Sequence, residues 1–172
     1  RGSVPGYSVM LGGGVHMVDL LHWIVGEKVF EVAAFGNRVT TEAAGASFRG
    51  DDVVTALLRF DGGATAVVSA NFGCVKPHEH TLTIFGTSGT LEDRPGAAQW
   101  WRSRDPDDDP RELAVADVAE TPKGALIGGF VDTIVSGAAP EVRINEIFAT
   151  LAVCFAIDEA TRSGEVVPVR PI

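Results

Sequence analysis

Residues 53–72, VVTALLRFDGGATAVVSANF, predict two β-strands joined by a tight turn. Apolar side chains recur at every second position through both halves of the stretch, which is the period of a strand with one buried face. These positions are Val54, Ala56, Leu58, Phe60, Ala64, Ala66, Val68, Ala70 and Phe72. Asp61-Gly62-Gly63 separates the halves and supplies turn residues. We therefore predict an antiparallel hairpin whose mixed face is open and whose apolar face is covered.

A helical pattern lies on each side of this hairpin. Residues 15–25 place Val18, Leu21 and Val25 on one apolar stripe, and Gly26 is a natural C-terminal stop. The second helix is predicted to begin at the cap Asn145, with Glu146 in its first turn, and to end at Gly164. Its predicted apolar face consists of Phe148, Leu151, Ala152 and Phe155.

The remaining chain adds shorter elements to these. Strands are predicted at residues 29–35, 81–85, from 91 onward, 99–102, 112–115 and 166–169, and a helix at 125–135. Residues 40–50 are small and polar and predict a loop or a sheet edge. The order of elements predicts an α+β fold, a large, mostly antiparallel open sheet with helices packed on one face. We find no repeat and no long linker, so residues 1–172 are predicted to form a single domain.

Composition excludes several classes of function. The formal net charge of −9 disfavours nucleic-acid binding, which needs a basic face for the phosphates. No apolar run approaches the roughly 20 residues that cross a bilayer, and the start of the sequence lacks a signal-peptide pattern. Cys74 and Cys154 lie far apart in apolar contexts, which predicts reduced, buried thiols and a cytoplasmic protein. No cysteine or histidine spacing resembles a metal site. Because an initiator Met is lacking, we expect the numbering to begin inside a longer polypeptide.

The first candidate site is the segment GGGVHMVDLLHWIVGE, residues 12–27. A glycine run allows close approach of backbone and ligand, and the first turn of a helix has free N–H groups. His16 lies in that turn and can exchange protons near neutral pH. Asp19 and Trp23 follow on the same helical face. From position alone, a hydrogen-bonded packing histidine is the better interpretation of His16, and His22, on another face, is predicted to be structural.

The second candidate segment is NFGCVKPHEH, residues 71–80, between two predicted strands. Lys76, His78 and His80 could bind the hydroxyl groups of a sugar, and the two histidines share a side in an extended chain. An exposed polar loop is the favoured alternative. A metal site would need a third ligand that this segment does not clearly supply.

Five motifs in order give the chain a family resemblance. They are His16-x-x-Asp19-x-x-His22-Trp23 with Gly26-Glu27, the Asp61-Gly62 turn, Leu82-x-Ile84-x-Gly86-Thr87-x-Gly89, Phe130-x-x-x-Ile134-x-x-Gly137, and Ala160-x-x-Ser163-Gly164. Together they resemble the C-terminal domain of the Gfo/Idh/MocA family of NAD(P)-dependent sugar and polyol oxidoreductases. The resemblance covers nearly the whole chain.

The resemblance implies a role for each part of the protein. An N-terminal Rossmann domain would bind NAD or NADP in the full-length protein. That domain is absent from this chain, which lacks Gly-x-Gly-x-x-Gly after a strand. His16 matches the family's catalytic histidine, which exchanges the proton of a sugar, aminosugar or polyol hydroxyl. Asp19 would orient His16 or the helix start, or be a structural cap. The sheet would pair with a second copy, giving a homodimer or homotetramer.

One departure from the family pattern keeps a second hypothesis open. Many family members carry an acidic residue four positions before the histidine, where it binds and polarises substrate; this chain has Gly12 there. The leading hypothesis is the substrate-binding and oligomerisation half of an oxidoreductase, with neither cofactor binding nor turnover expected of this chain alone. The alternative is a non-catalytic ligand-binding or assembly domain that has lost redox chemistry. Gly12 favours the alternative, and the presence of His16 opposes it.

Overall fold

The elements follow one another in nearly the predicted order. The structure, a computed structural model, describes residues 7–45, 48, 50–114, 124–140 and 143–172. Its elements are a π-helical turn (Met10–Gly14), α1 (Val15–Val25), β1 (Val29–Asn37), α2 (Val39–Ala43), β2 (Val53–Phe60), β3 (Thr65–Asn71), β4 (Leu82–Gly86), β5 (Gly89–Arg94), β6 (Ala97–Trp101), β7 (Arg111–Leu113), α3 (Ala125–Ser136), α4 (Ile144–Ser163) and β8 (Val167–Pro168). None of these helices is long and apolar enough to cross a membrane.

The α+β class is confirmed, with the strands divided between two antiparallel sheets. The first compact unit comprises residues 1–75 and 139–172 and contains the sheet β3-β2-β1-β8. The second comprises residues 76–138 and contains the sheet β4-β5-β6-β7. A single domain over residues 1–172 stays a prediction, and the units are described separately below.

The predicted hairpin is the centre of the first sheet. β2 pairs with β3 from Val53 opposite Asn71 to Arg59 opposite Thr65. At the turn the Phe60 N–H donates to the Ala64 carbonyl over 2.9 Å, and Gly63 has a φ of +94° that favours glycine. β1 then pairs with the other edge of β2, and β8 pairs with β1. Local periodicity and turn chemistry thus place the strands correctly.

The core lies between the inner face of this sheet and the helices α1 and α4. It includes the predicted inward side chains of β2 together with partners from the other elements: Val18, Val32, Val54, Ala56, Leu58, Phe60, Val68, Ala70, Val153, Ile157 and Ala160. Phe72, predicted to share the inner face, is 48% exposed, because β3 ends at Asn71 and the chain leaves the sheet there. The apolar alternation therefore holds only while the strand is paired.

The buried face of α4 differs from the predicted one. Phe148 and Phe155 were expected to be buried, but they are 40% and 49% exposed. Ala152, which was predicted on this face, is buried, and small side chains at four-residue spacing continue the face from it: Ala156 and Ala160. Small residues let the helix lie close to β1, which it contacts, so the bulkier phenylalanines remain outside.

The ends of α1 are as predicted, and the start of α4 is not. α1 ends at Gly26, which has a φ of +71° and donates its N–H to the His22 carbonyl. α4 is capped by Arg143 rather than Asn145, because the Glu146 carboxylate accepts the Arg143 N–H over 3.1 Å. Gly164 closes α4 with a φ of +73°.

Residues 40–50 contain part of a short helix, α2, where a loop or edge was predicted. Two side chains satisfy the free N–H groups at its start. Asn37 Oδ1 accepts from Val39, and the buried Asp52 carboxylate accepts from Thr41 over 2.6 Å. The sequence of the segment alone did not reveal this helix because Asp52 lies outside it.

The two cysteines differ in environment. Cys154 is buried, as predicted, and burial together with the nearby Asp158 raises the pKa of its thiol to about 12. Cys74 is exposed, contrary to the prediction, because it follows the end of β3. Both are free thiols.

The second unit is a meander of four short strands followed by α3. β4 and β5 meet at the predicted tight turn, where Gly86 pairs with Gly89. Trp100 and Trp101 in β6 point to opposite faces, and Trp101 is 39% exposed. The guanidinium of Arg102 lies 5.0 Å from the centre of the Trp100 ring. Of the strand predicted at residues 112–115, residue 115 lies outside the described residues.

Candidate active site

The glycine run before His16 forms a π-helical turn that leads directly into α1. The Val15 N–H donates to the Met10 carbonyl five residues earlier, which is the π-helical pattern. Before it, the Gly12 N–H donates to the Ser8 carbonyl over 2.9 Å, and the Leu11 N–H to the Ser8 hydroxyl over 3.1 Å. Single π turns within helices occur frequently at functional sites.

Each glycine of the run lies beneath another side chain. A Cβ on Gly12 would clash with the Tyr7 hydroxyl, and its distance to Tyr7 Cζ would be 2.5 Å. A Cβ on Gly13 would lie 2.8 Å from the Phe72 ring, and one on Gly14 would lie 2.7 Å from Met10 Sδ. The run is therefore needed for close packing. It is covered by these side chains and does not form an open phosphate cradle.

His16 lies on the exposed face of α1. Asp19 and Trp23 share this face, as their spacing predicts, and Trp23 is 83% exposed. Val18, on the opposite face, is completely buried in the core. His16 is thus presented outward at the start of the helix, where a small molecule or another part of the protein can reach it.

Asp19 makes its hydrogen bond to α4 and is linked to His22. The Thr150 hydroxyl donates to Asp19 Oδ1 over 3.2 Å, and His22 Nδ1 lies 3.3 Å from the same hydroxyl oxygen. Because that hydroxyl gives its only proton to the carboxylate, His22 Nδ1 must carry the hydrogen that it donates. Burial lowers the pKa of His22, and the charge of Asp19 opposes this shift. These contacts fit the structural role predicted for His22.

Sequence reasoning missed Thr150 and Tyr7. Thr150 lies 131 positions from Asp19, and no pattern along the chain joins the two. Tyr7 is the single tyrosine of the sequence and precedes the glycine run by only a few residues, which was the one available signal. The structure brings Thr150 to Asp19 and Tyr7 to Gly12.

Lys76, His78 and His80 belong to the second compact unit and are described apart from His16. Lys76 forms an ion pair with Glu79. The rings of His78 and His80 meet edge to face with their centres 4.8 Å apart, so they share a side as predicted. All three predicted ligand-binding side chains are exposed. Among the described residues, no group of three or more metal-binding side chains comes together.

Two cavities lie in the first unit, and His16 lines neither of them. One, of about 340 Å³, lies beside His22 and the start of α4. The other, of about 410 Å³, includes these polar side chains in its lining: Tyr7, Ser8, Arg38, Asp51, Asp158 and Arg162. Burial raises the pKa of Asp158; Ser8 and Arg162 oppose this shift, and Asp51 adds to it.

Known proteins resemble this chain in sequence and in fold. A family model described as the GFO/IDH/MocA C-terminal domain matches residues 2–92. Myo-inositol 2-dehydrogenase of Thermotoga maritima is 31% identical over 84 residues, which cover 48% of this chain and 25% of that protein.

Two solved structures show the same fold. Levoglucosan dehydrogenase in complex with NADH and L-sorbose has a TM-score of 0.77 at 17% identity, covering 99% of this chain and 53% of that one. The WlbA dehydrogenase from Bordetella pertussis, in complex with NADH and UDP-GlcNAcA, has a TM-score of 0.70 at 22% identity, covering 95% and 46%. The chain therefore spans about half the length of these structures and a quarter of the curated relative.

Proposed function

We propose that this chain, which belongs to the Gfo/Idh/MocA family as its C-terminal domain, is the substrate-binding half of an NAD(P)-dependent oxidoreductase. Its substrate would be a sugar, an aminosugar or a polyol. The observation that carries the proposal is the placement of His16, which stands exposed in the first turn of α1 within the matched segment.

The proposed role of His16 is to move one proton. During oxidation its imidazole takes the proton of the substrate hydroxyl, and during reduction it returns that proton. Imidazole suits this role because its ring nitrogens can accept and donate a proton. The nicotinamide, when bound, would supply the hydride acceptor or donor. The covered glycine run offers no cradle for it, so we assign its binding to a Rossmann domain in the same polypeptide.

The other candidate residues have polar groups suited to sugar hydroxyls. Lys76, His78 and His80 are exposed and can donate hydrogen bonds, and we propose that they contact substrate in the full-length protein. Gly12 has no side chain to offer, and a Cβ there would clash with the Tyr7 hydroxyl. For Asp19 the bond from Thr150 favours a positioning role, since it ties α1 to α4 at the turn after His16.

We also propose that the outer face of the first sheet pairs with a second copy of the chain. This face exposes three large apolar side chains: Phe35 at 76%, Leu57 at 47% and Val67 at 68%. Leu57 and Val67 lie directly opposite each other in the β2–β3 register. Exposed apolar patches of this kind mark interaction surfaces more often than free surface. A homodimer or homotetramer would cover the patch.

A non-catalytic ligand-binding or assembly domain is the second candidate. The observation in its favour is that position 12, one turn before His16, has no side chain of its own. A histidine without a neighbouring group to hold the substrate would be a weak catalyst.

The test uses the natural full-length protein, supplied in turn with NAD⁺ and NADP⁺. Myo-inositol, levoglucosan and L-sorbose serve as probes, and reduced nicotinamide is measured by its absorbance. We expect oxidation of at least one probe, and loss of that oxidation in His16→Ala. Binding of a probe by titration calorimetry without any turnover would favour the non-catalytic candidate.

A further inference from the structure

The Tyr7 side chain occupies the space that a side chain at position 12 would fill. A Cβ on residue 12 would clash with its hydroxyl, and the ring atoms Cζ and Cε2 would lie 2.5 and 2.9 Å from that Cβ. The φ of Gly12 is not in the left-handed region, so the backbone conformation does not itself require glycine. A larger residue at position 12 would require the phenol to move.

Contacts on both sides fix Tyr7 in this place. Its ring meets Phe48 edge to face, with the centres 6.2 Å apart and the planes at 86°. The next residue, Ser8, accepts hydrogen bonds from the backbone of Leu11 and Gly12. The phenol is half-buried, so part of it remains open to solvent.

Position 12 and position 16 are neighbours along the helix. Side chains four residues apart lie one above the other, with Cβ atoms about 5–6 Å apart. The hydroxyl beside Gly12 therefore lies on the same side of the helix as His16. Within the described part of the chain this hydroxyl makes no hydrogen bond, so it can both donate and accept one.

We propose that Tyr7 is a substrate-binding residue whose hydroxyl holds one hydroxyl group of a polyol while His16 exchanges the proton of the adjacent one. The two groups would select substrates with neighbouring hydroxyls. This inference rests on the proposed function of His16 and adds the substrate contact that Gly12 itself cannot make.

The first test is Tyr7→Phe in the full-length protein, with myo-inositol, levoglucosan and L-sorbose as probes. This variant removes one oxygen and keeps the ring and its contact with Phe48, so its melting temperature should be nearly unchanged. We expect kcat/KM to fall about tenfold, mainly through KM, because one hydrogen bond to bound substrate is lost. An unchanged kcat/KM would overturn the proposal.

A rescue experiment separates the hydroxyl from the volume of the side chain. Tyr7→Ala opens the space over Gly12, and Gly12→Ser in that background returns a hydroxyl near the same place, now carried by the helix. Tyr7→Ala with Gly12→Ala is the matched control, which fills the space without a hydroxyl. We expect the serine pair to recover activity that the alanine pair lacks. Equal activity of the two pairs would contradict the proposal.

Failure of the proposed redox function can be distinguished from failure of the Tyr7 contact. If the wild-type protein oxidises no probe, that function fails, and Tyr7 is then tested by calorimetric binding of the same probes to wild type and Tyr7→Phe. Weaker binding by Tyr7→Phe than by wild type would support the contact between Tyr7 and the ligand, even though the protein has no redox activity. Equal binding by the two proteins, or none by either, overturns the contact as well.

Discussion

Two histidines on the same helix have opposite environments. His16 is exposed in the first turn of α1, whereas His22 is half-buried and hydrogen-bonded to Thr150. Burial lowers the pKa of His22 because water no longer solvates the charged imidazolium. His22 thus contributes to the packing of α1 on α4, and His16 remains available for chemistry.

The titration of His22 tests its hydrogen-bond network with Thr150 and Asp19. Its pKa should lie below the ordinary 6.5, and Asp19→Asn should lower it further, because the charge of Asp19 raises it. Asp61→Asn, in the hairpin turn, is the control and should leave it unchanged. NMR titration of the imidazole protons measures all three proteins. A pKa of His22 at or above 6.5, or one unmoved by Asp19→Asn, would contradict the assigned network.

The same shift makes stability depend on pH. Because the folded-state pKa is the lower one, the unfolded chain binds a proton more readily as the pH falls below 6.5. The contribution of neutral His22 is therefore complete above pH 6.5 and is lost as the pH decreases from there toward its folded-state pKa. His22→Gln should flatten this part of the curve of melting temperature against pH.

Adjacent residues of β2 point to opposite faces of the first sheet, one buried and one exposed. Leu58 is completely buried, whereas Leu57 is 47% exposed on the other face. Leu58→Ala should lower the free energy of unfolding by about 2–5 kcal/mol, because it leaves a cavity in the core. Leu57→Ala is the matched control and should cost less than about 1 kcal/mol in a dissociated subunit. Chemical denaturation measures both; equal losses would mean that the strand register is wrong.

Elements set by local chemistry were predictable, and those set by distant contacts were not. The bounds of α1 and the β2–β3 hairpin follow from periodicity, Gly26 and Asp61-Gly62-Gly63. The helix α2 depends on the Asp52 carboxylate, and the buried face of α4 depends on how closely it approaches β1, so neither could be derived from its own segment. In the site, the sequence identified the face of His16, but not Thr150 beside Asp19 or Tyr7 over Gly12.

For the whole molecule, the open face of the first sheet accounts for the proposed assembly. Val67→Lys would place a charge in the centre of the apolar patch and should dissociate the oligomer, because burying an unpaired charge is costly. Val39→Lys is a close control, since Val39 on α2 is 67% exposed and Val67 is 68% exposed. Sedimentation velocity of the full-length proteins compares them. If Val67→Lys forms the same oligomer as wild type, or if wild type is a monomer, this face is not the interface between copies.

The proposed exchange of the substrate proton by His16 is tested by His16→Asn in the full-length protein. We expect kcat to fall at least about 100-fold, while His22→Asn remains within a few-fold of wild type. Steady-state oxidation of a probe polyol, followed across pH for both variants, provides the measurement. Turnover by His16→Asn at the wild-type rate would contradict the claim.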